Sequence, residues 1–215
     1  MFSIYSNLLD YIFYKKCYLC GNKTKSGLLC LKCFKKIEAD GFKELRTFKG
    51  IKIEGYYFYK EEIKSIIRGF KYHNKRELAA DTAKILYNLT QKEEFSEENT
   101  EIIPVPLHND RQKKRKYNQT ELIANEFAAL AGCTVNAQLI KRVKNTPPQY
   151  NLSQKERKEN LKGAFRVFPE FYTGKKLVLL DDISTTGATL QEMIKELQKN
   201  GIENISGLVI AFSGN

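Results

Sequence analysis

The stretch KKLVLLDDISTTGATL, residues 175–190, joins a near-continuous apolar run to two adjacent carboxylates, a hydroxyl-rich turn and a glycine. Apolar residues at successive rather than alternate positions mark a strand covered on both faces, as in the middle of a parallel sheet. Such a strand needs neighbours and covering helices, and the chain from about residue 50 supplies both. IKIEGYYFY (51–59), EIIPVPL (101–107), GAFRVF (163–168) and NISGLVIAF (204–212) read as further strands, from their β-branched and aromatic content. Helical spacing of apolar residues runs through EEIKSIIRGFKY (61–72), KRELAADTAKILYNLTQK (75–92), TELIANEFAALAG (120–132) and ATLQEMIKELQKNG (188–201). Alternation of this kind predicts an α/β domain with a parallel sheet between helices.

The N-terminal part is different. Cys17, Cys20, Cys30 and Cys33 form two CxxC pairs separated by nine residues. Paired knuckles of this spacing can close four thiolates around one zinc, with Gly21 allowing the tight turn after the first pair. Two disulfides or a redox pair are the alternatives. A reducing compartment disfavours the first, and a redox CxxC needs no second copy. Four thiolates leave no open position, so the zinc is expected to be structural. Residues 1–45 have too few apolar side chains for a core of their own, and metal-binding energy of about 10–16 kcal/mol can become folding energy. The expected division is a four-cysteine head over 1–45 and the sheet domain over 46–215. Cys133 stands alone and is expected to pack as a small hydrophobe.

The first fourteen residues, MFSIYSNLLDYIFY, lack a basic start and a small-residue cleavage site, and Asp10 interrupts them. No other stretch approaches the roughly 20 apolar residues of a membrane span. The expected location is therefore the cytoplasm. Net charge is +11, from 36 Lys plus Arg against 25 Asp plus Glu, and points to an anionic partner. Acidic residues gather in QKEEFSEENTE (91–101), which reads as a solvated linker. Basic ones cluster in DRQKKRKYNQ (110–119), giving Arg111, Lys113, Lys114, Arg115 and Lys116 before Tyr117, a candidate stacking ring. A second set, Arg142, Lys144, Lys155, Arg157 and Lys158, sits around Pro147 and Pro148 in what reads as a mobile loop. These cations could serve nucleic acid, a pyrophosphate group, or no more than a solvated face.

The end of a central parallel strand, where it turns into a helix, is where open α/β sheets bind ligands. A helix N-terminus favours a phosphate; Ser184, Thr185, Thr186 and Thr189 add hydroxyls; Gly187 lets the backbone come close without a Cβ in the way, and Ala188 belongs to the same candidate binding stretch. Asp181 and Asp182 suit sugar hydroxyls or magnesium near that phosphate. The plainer alternative is that the aspartates cap the following helix.

DDISTTGAT resembles the phosphoribosyl pyrophosphate (PRPP) signature of type I phosphoribosyltransferases. By that likeness Asp181 and Asp182 would hold the ribose hydroxyls and residues 184–189 would wrap the 5′-phosphate, with magnesium on the pyrophosphate. The cysteine knuckles, PVPLHNDRQKKRKYNQTELIA, TPPQYNLSQKERKENLKGAF and DDISTTGATL resemble, in that order, the ComF family of competence proteins. That likeness spans nearly the whole chain. It implies a Rossmann-like, type I phosphoribosyltransferase-like sheet with a zinc head, and a role in natural transformation. The implied partners are PRPP, single-stranded DNA and a DNA-uptake helicase or inner-membrane channel component, which would place the protein at the cytoplasmic face of that membrane. Ile183 stands where such motifs often carry Val. The alternative function is a salvage or biosynthetic phosphoribosyltransferase. His73 and His108 are candidate acid–base groups by residue type alone.

Overall fold

The structure, a computed structural model, describes residues 14–90, 95, 96, 98–146 and 154–213, apart from the side chains at 154, 155, 157 and 158. The apolar N-terminal stretch, much of the acidic run, and Pro147 and Pro148 fall outside the described residues. In the head, β1 (Lys15–Lys16) and β2 (Lys23–Thr24) form an antiparallel hairpin, and α1 (Leu31–Ala39) follows. Next come β3 (Glu44–Phe48), β4 (Ile51–Phe58), α2 (Glu61–Tyr72) and α3 (Leu78–Leu89). Then follow β5 (Thr100–Pro104), α4 (Asn109–Arg115), α5 (Gln119–Ala131), β6 (Thr134–Val135) and β7 (Ile140–Arg142). The chain continues through α6 (Gln154–Leu161), β8 (Phe165–Val167), β9 (Lys176–Ser184), α7 (Ala188–Lys199) and β10 (Ile205–Phe212).

Six strands form one sheet in the order β3-β4-β10-β9-β5-β6, with β3 antiparallel to β4 and the other pairings parallel. The apolar run 175–182 is therefore central: Leu179 of β9 lies opposite Gly207 of β10 on one side and Ile103 of β5 on the other. Successive residues of a strand face opposite ways. Val178 and Leu180 accordingly pack with Phe70 of α2, Leu86 of α3 and Phe127 of α5. Leu177 and Leu179 pack with Leu190 and Ile194 of α7 and with Phe165 of the antiparallel β7/β8 ribbon. Both faces are covered, which explains why this strand shows no polar alternation.

From β5 the chain crosses to β6 at one edge, and from β9 it crosses through α7 to β10 on the other side. The order reverses between β5 and β9, so a crevice opens at their carboxyl ends. This topology is what positions the candidate site.

Several elements depart from the sequence expectation. The second cysteine knuckle runs directly into α1, which carries Cys33 and whose single fully buried side chain, Ile37, joins the main core. The basic run 109–115 is a helix with no buried residue, so no apolar periodicity could reveal it. Residues 154–161, expected in a mobile loop, form α6, and Arg142 from the same expected loop lies on β7.

The head shares its core with the sheet domain: Cys17, Leu28, Leu29, Cys30 and Ile37 belong to one cluster with Ile63, Ile66 and Phe70. Its polar anchor is Asp81 of α3, whose Oδ2 accepts hydrogen bonds from the amides of Leu28 (2.7 Å) and Leu29 (2.9 Å). Burial raises the pKa of Asp81, and the two amides and nearby lysines offset only part of that. Gly27 makes the approach possible, since its φ is +68° and a Cβ there would lie 2.4 Å from the Asp81 carboxylate. Tyr57 donates to the Ile37 carbonyl at 2.8 Å, adding a second tie. Replacing Asp81 by Ala leaves two amides without their acceptor and is expected to destabilise the protein by about 2–4 kcal/mol. Asp81→Asn, which keeps one acceptor, should lose less; thermal unfolding of both variants checks the ranking.

Candidate functional site

Because β9 alternates, its two adjacent aspartates cannot point the same way. Asp182 follows the parity of Val178 and Leu180 and meets α2 and α5: Lys71 Nζ lies 2.8 Å and Gln119 Nε2 3.0 Å from its Oδ2. Asp181 follows the parity of Leu177 and Leu179, toward the face of α7 and the β7/β8 ribbon, and accepts the Asp182 amide at 2.8 Å. The pair thus straddles the end of the sheet, one carboxylate on each face. Both are nearly buried, at 8% and 4% exposure. Burial, then the neighbouring Asp182 charge, raises the pKa of Asp181 to about 7, against opposing effects from Lys71, the Asp182 amide and Arg142.

After Ser184 the chain turns through Thr185, Thr186 and Gly187 into α7. Gly187 has φ +70°, and the Phe48 ring of β3 occupies the place a Cβ would take, 2.4 Å away. The N-cap residue of α7 is Gly187, which has no side chain to cap the helix. Two hydroxyls here, Ser184 Oγ and Thr186 Oγ1, are buried without a hydrogen-bond partner among the described residues. Buried hydroxyls without partners are uncommon, and here they accompany a helix start whose N-cap is a left-handed glycine. A phosphate oxygen would satisfy all of them. The aspartates stand on the strand and not at its cap, so the alternative that they cap the helix fails. The oxygen donors at 181 and 182 have the hard character that suits magnesium.

The crevice is braced from inside. Asn118 Nδ2 and Thr120 Oγ1 both donate to the Val105 carbonyl, at 3.1 and 2.8 Å, fixing the segment after β5. Asn118 also caps α5. Tyr117 is buried, donates to the Phe70 carbonyl and carries the Arg76 guanidinium 4.6 Å from its ring centre. It is not available to stack on a nucleobase, which corrects the role its position beside the basic run suggested. The basic cluster also divides. Lys113, Lys114, Lys116 and Lys144 are exposed, and Arg115 donates to Gln119 Oε1 at 2.7 Å. Arg111 and Arg142 turn inward to Thr146. Arg142, expected on a mobile loop, is a buried strand residue. The side chains of Lys155, Arg157 and Lys158 lie outside the described residues. His108 accepts the Asp110 amide at 3.3 Å as the cap of α4, and His73 Nδ1 lies 2.7 Å from the Tyr18 hydroxyl.

Sequence reasoning missed Lys71 and Gln119. Gln119 lies inside a motif but next to a residue that looked functional for another reason. Lys71 carries no signal at all, since it is one lysine among several on an amphipathic helix.

In the head, the four cysteine sulfurs lie within 4.8 Å of one another, with Cys20 and Cys30 3.6 Å apart. An ion at about 2.3 Å from four thiolates needs sulfurs roughly 3.8 Å apart, so the cluster can hold a metal ion. Cys133 is half-buried against the main core, and burial raises its thiol pKa to about 11. A cavity of about 440 Å³ opens beside the cluster, lined by Cys20, Cys33, Lys32, Lys36 and Glu62 among others, and takes in no residue of the β9 turn.

No protein-family model matches the chain. It is 31% identical over 200 residues to Competence protein F of Haemophilus influenzae, covering 88% of this chain and 86% of that one. The chain belongs to the ComF family. A second relative, the DNA utilization protein YhgH of Salmonella typhimurium, is 32% identical over 151 residues, covering 68% of this chain and 66% of the relative. YhgH of Escherichia coli K12 is 36% identical over 101 residues, covering 46% and 44%. Among solved structures, an adenine phosphoribosyl transferase from Trypanosoma brucei matches 83% of this chain and 78% of its own, at 13% identity and TM-score 0.37. That superposition is too loose to argue from, and the fold rests on the sheet topology. Among the described residues no helix is long and apolar enough to cross a membrane.

The buried acid pair sets a pH dependence. An unfolded Asp181 titrates near 3.8 and the folded one near 7, so between these values the folded protein holds a proton that the unfolded chain has lost. Stability attributable to Asp181 is therefore lost as pH rises through this window. Asp181→Asn is expected to stabilise the protein at pH 8 on the order of 1–3 kcal/mol, and by less at about pH 5. Denaturant unfolding at the two pH values checks the sign.

Proposed function

We propose that this ComF-family protein is a competence or DNA-utilisation factor that binds PRPP with magnesium at the end of β9 and handles single-stranded DNA on its basic face. The observation that carries the first half is the pair of buried hydroxyls, Ser184 and Thr186, with no hydrogen-bond partner among the described residues, beside a helix start capped by glycine and two buried carboxylates. A phosphorylated sugar supplies acceptors for the first group and hydroxyls for the second. Asp181 and Asp182 would hold the ribose hydroxyls and the magnesium side of the ligand; the ion would neutralise pyrophosphate charge. The names of the relatives in Haemophilus and Salmonella support the second half.

For nucleic acid, the exposed Lys113, Lys114, Lys116 and Lys144 offer phosphate contacts. Tyr72, 69% exposed at the end of α2 and next to Lys71, offers the ring that Tyr117 cannot. In the head, Cys17, Cys20, Cys30 and Cys33 hold structural zinc, and the head over 1–45 gives the sheet domain a surface for a protein partner. That partner is a DNA-uptake helicase or an inner-membrane channel component, met on the cytoplasmic side. Turnover, with transfer of ribose phosphate to a nitrogenous acceptor, is a second reading, favoured by the intact acid pair.

Calorimetric titration with PRPP and magnesium should show saturable binding that disappears in the double variant Asp181→Asn, Asp182→Asn. Equal affinity in that variant would refute the site. Binding of a short single strand should weaken steeply with salt, and Lys113→Ala with Lys114→Ala should lower the slope of log affinity against log salt by roughly 1–2. A salt-independent interaction would count against the nucleic-acid reading.

A further inference from the structure

The six-stranded sheet ends on one side at β3, and among the described residues no strand pairs with its outer edge. Its five residues, ELRTF, run into β4 through Lys49 and Gly50, whose φ values of +51° and +80° suit a tight hairpin turn. That turn sets the register, with Phe48 opposite Ile51, Arg46 opposite Ile53 and Glu44 opposite Gly55. Side chains alternate along a strand, so Glu44, Arg46 and Phe48 share one face, the face on which Phe48 packs with Ile53 and Phe212. Leu45 and Thr47 take the other face and are exposed, Leu45 at 55%.

An open edge presents backbone donors and acceptors to any strand that meets it, and monomeric proteins commonly protect it with a lysine or a proline. Within β3 there is neither: its centre is Leu45, and Lys43 and Lys49 stand just outside its ends. Lys43 is drawn back to Glu54 at 2.7 Å. The two charges that β3 does carry neutralise each other, with Arg46 Nε 2.7 Å from Glu44 Oε1. Arg46 also lies over the Phe212 ring, 4.1 Å from its centre, which orders the guanidinium before any partner arrives.

The order of these charges narrows the partner. When a two-fold axis relates two copies of one strand, the strands pair antiparallel and each residue meets one on the same face. With the axis at Leu45, Glu44 lies opposite the second copy's Arg46, Arg46 lies opposite its Glu44, and the two exposed leucines meet. With the axis one residue away, at Glu44 or at Arg46, either two glutamates or two arginines lie opposite each other. Opposite charges across a strand pair are favourable and like charges are not. Charge therefore selects a single register, and it is the one that gives Leu45 an apolar contact. A strand from an unrelated protein can add to the same backbone, but only a copy of this chain brings the matching Glu44 and Arg46 by symmetry.

We infer that the outer edge of β3 is the docking surface for a second copy of this chain, paired antiparallel about Leu45 so that the two sheets become continuous. The edge is short, so the association is reversible and depends on protein concentration.

The test is sedimentation velocity of the full-length protein over a range of concentrations, with three variants. Wild type is expected to shift from monomer to dimer as concentration rises. Leu45→Lys alters an exposed side chain, sets like charges on the axis, and should weaken dimerisation by roughly tenfold or more. Glu44→Arg and Arg46→Glu each oppose like charges and should weaken it when alone. An equal mixture of these two restores both opposite-charge pairs and should recover the dimer. Thermal unfolding identifies a variant that fails to fold, and Leu45→Lys keeps the test open should Arg46→Glu do so. Wild type that stays monomeric at its highest soluble concentration would overturn the inference and leave the edge to a strand of another protein. A dimer equally strong in all three variants would place the contact elsewhere and overturn it as well. Folded charge variants that weaken alone and do not recover on mixing would refute the pairing about Leu45.

Discussion

Two carboxylates next to each other on a central strand must face opposite sides of the sheet, and the organisation of the crevice follows from that geometry. Burying them is unfavourable unless each finds compensation. Asp182 finds it in Lys71 and Gln119, contributed by α2 and α5. Among the described residues Asp181 receives the Asp182 amide and more distant positive charge, and it keeps a raised pKa. The asymmetry leaves one face of the strand end electrostatically settled and the other unsettled. It is on the unsettled face that Arg142 also lacks a carboxylate partner among the described residues. A fold optimised for stability alone would not combine a protonatable buried acid, an arginine without a carboxylate partner and unpartnered hydroxyls in one region; ligand sites commonly do.

The same crevice depends on parts remote from it in sequence. Asn118 and Thr120 hold the segment after β5 through the Val105 carbonyl, and Phe48 of the edge strand β3 seals the turn at Gly187. The head is coupled to this scaffold through α2 and α3: Asp81 grips the second knuckle, while Tyr18 meets His73 just past the end of α2, two residues beyond Lys71.

Much of this was legible in the sequence, for identifiable reasons. The run 175–182 announced a central strand because its burial on both faces removes alternation, and the cysteine spacing announced a closed cluster because two knuckles supply four ligands. The turn at 184–187 was legible because glycine and hydroxyls are concentrated there. The short strands β6 and β7 and the helix α4 were not, since two or three residues carry no period and α4 buries nothing. Tyr117 misled because a tyrosine following basic residues looks like a stacking platform, while its burial depends on α2, which arrives from forty-seven residues earlier at Phe70. Lys71 was invisible for the same reason: its role exists only once α2 is laid against β9. The separation of Arg111 and Arg142 from the exposed lysines likewise needs the fold, because in sequence they belong to two undivided basic runs.

The central claim is that the end of β9 is a PRPP site. Its most direct test is an NMR titration of the isotope-labelled protein with PRPP and magnesium, followed at the backbone amides. The account predicts saturable shifts at Asp182 and at Thr185–Thr189, with the knuckle amides at Cys17–Cys20 and Cys30–Cys33 little changed. Shifts confined to the head, or to the exposed lysines of α4, with none in the β9 turn, would contradict it.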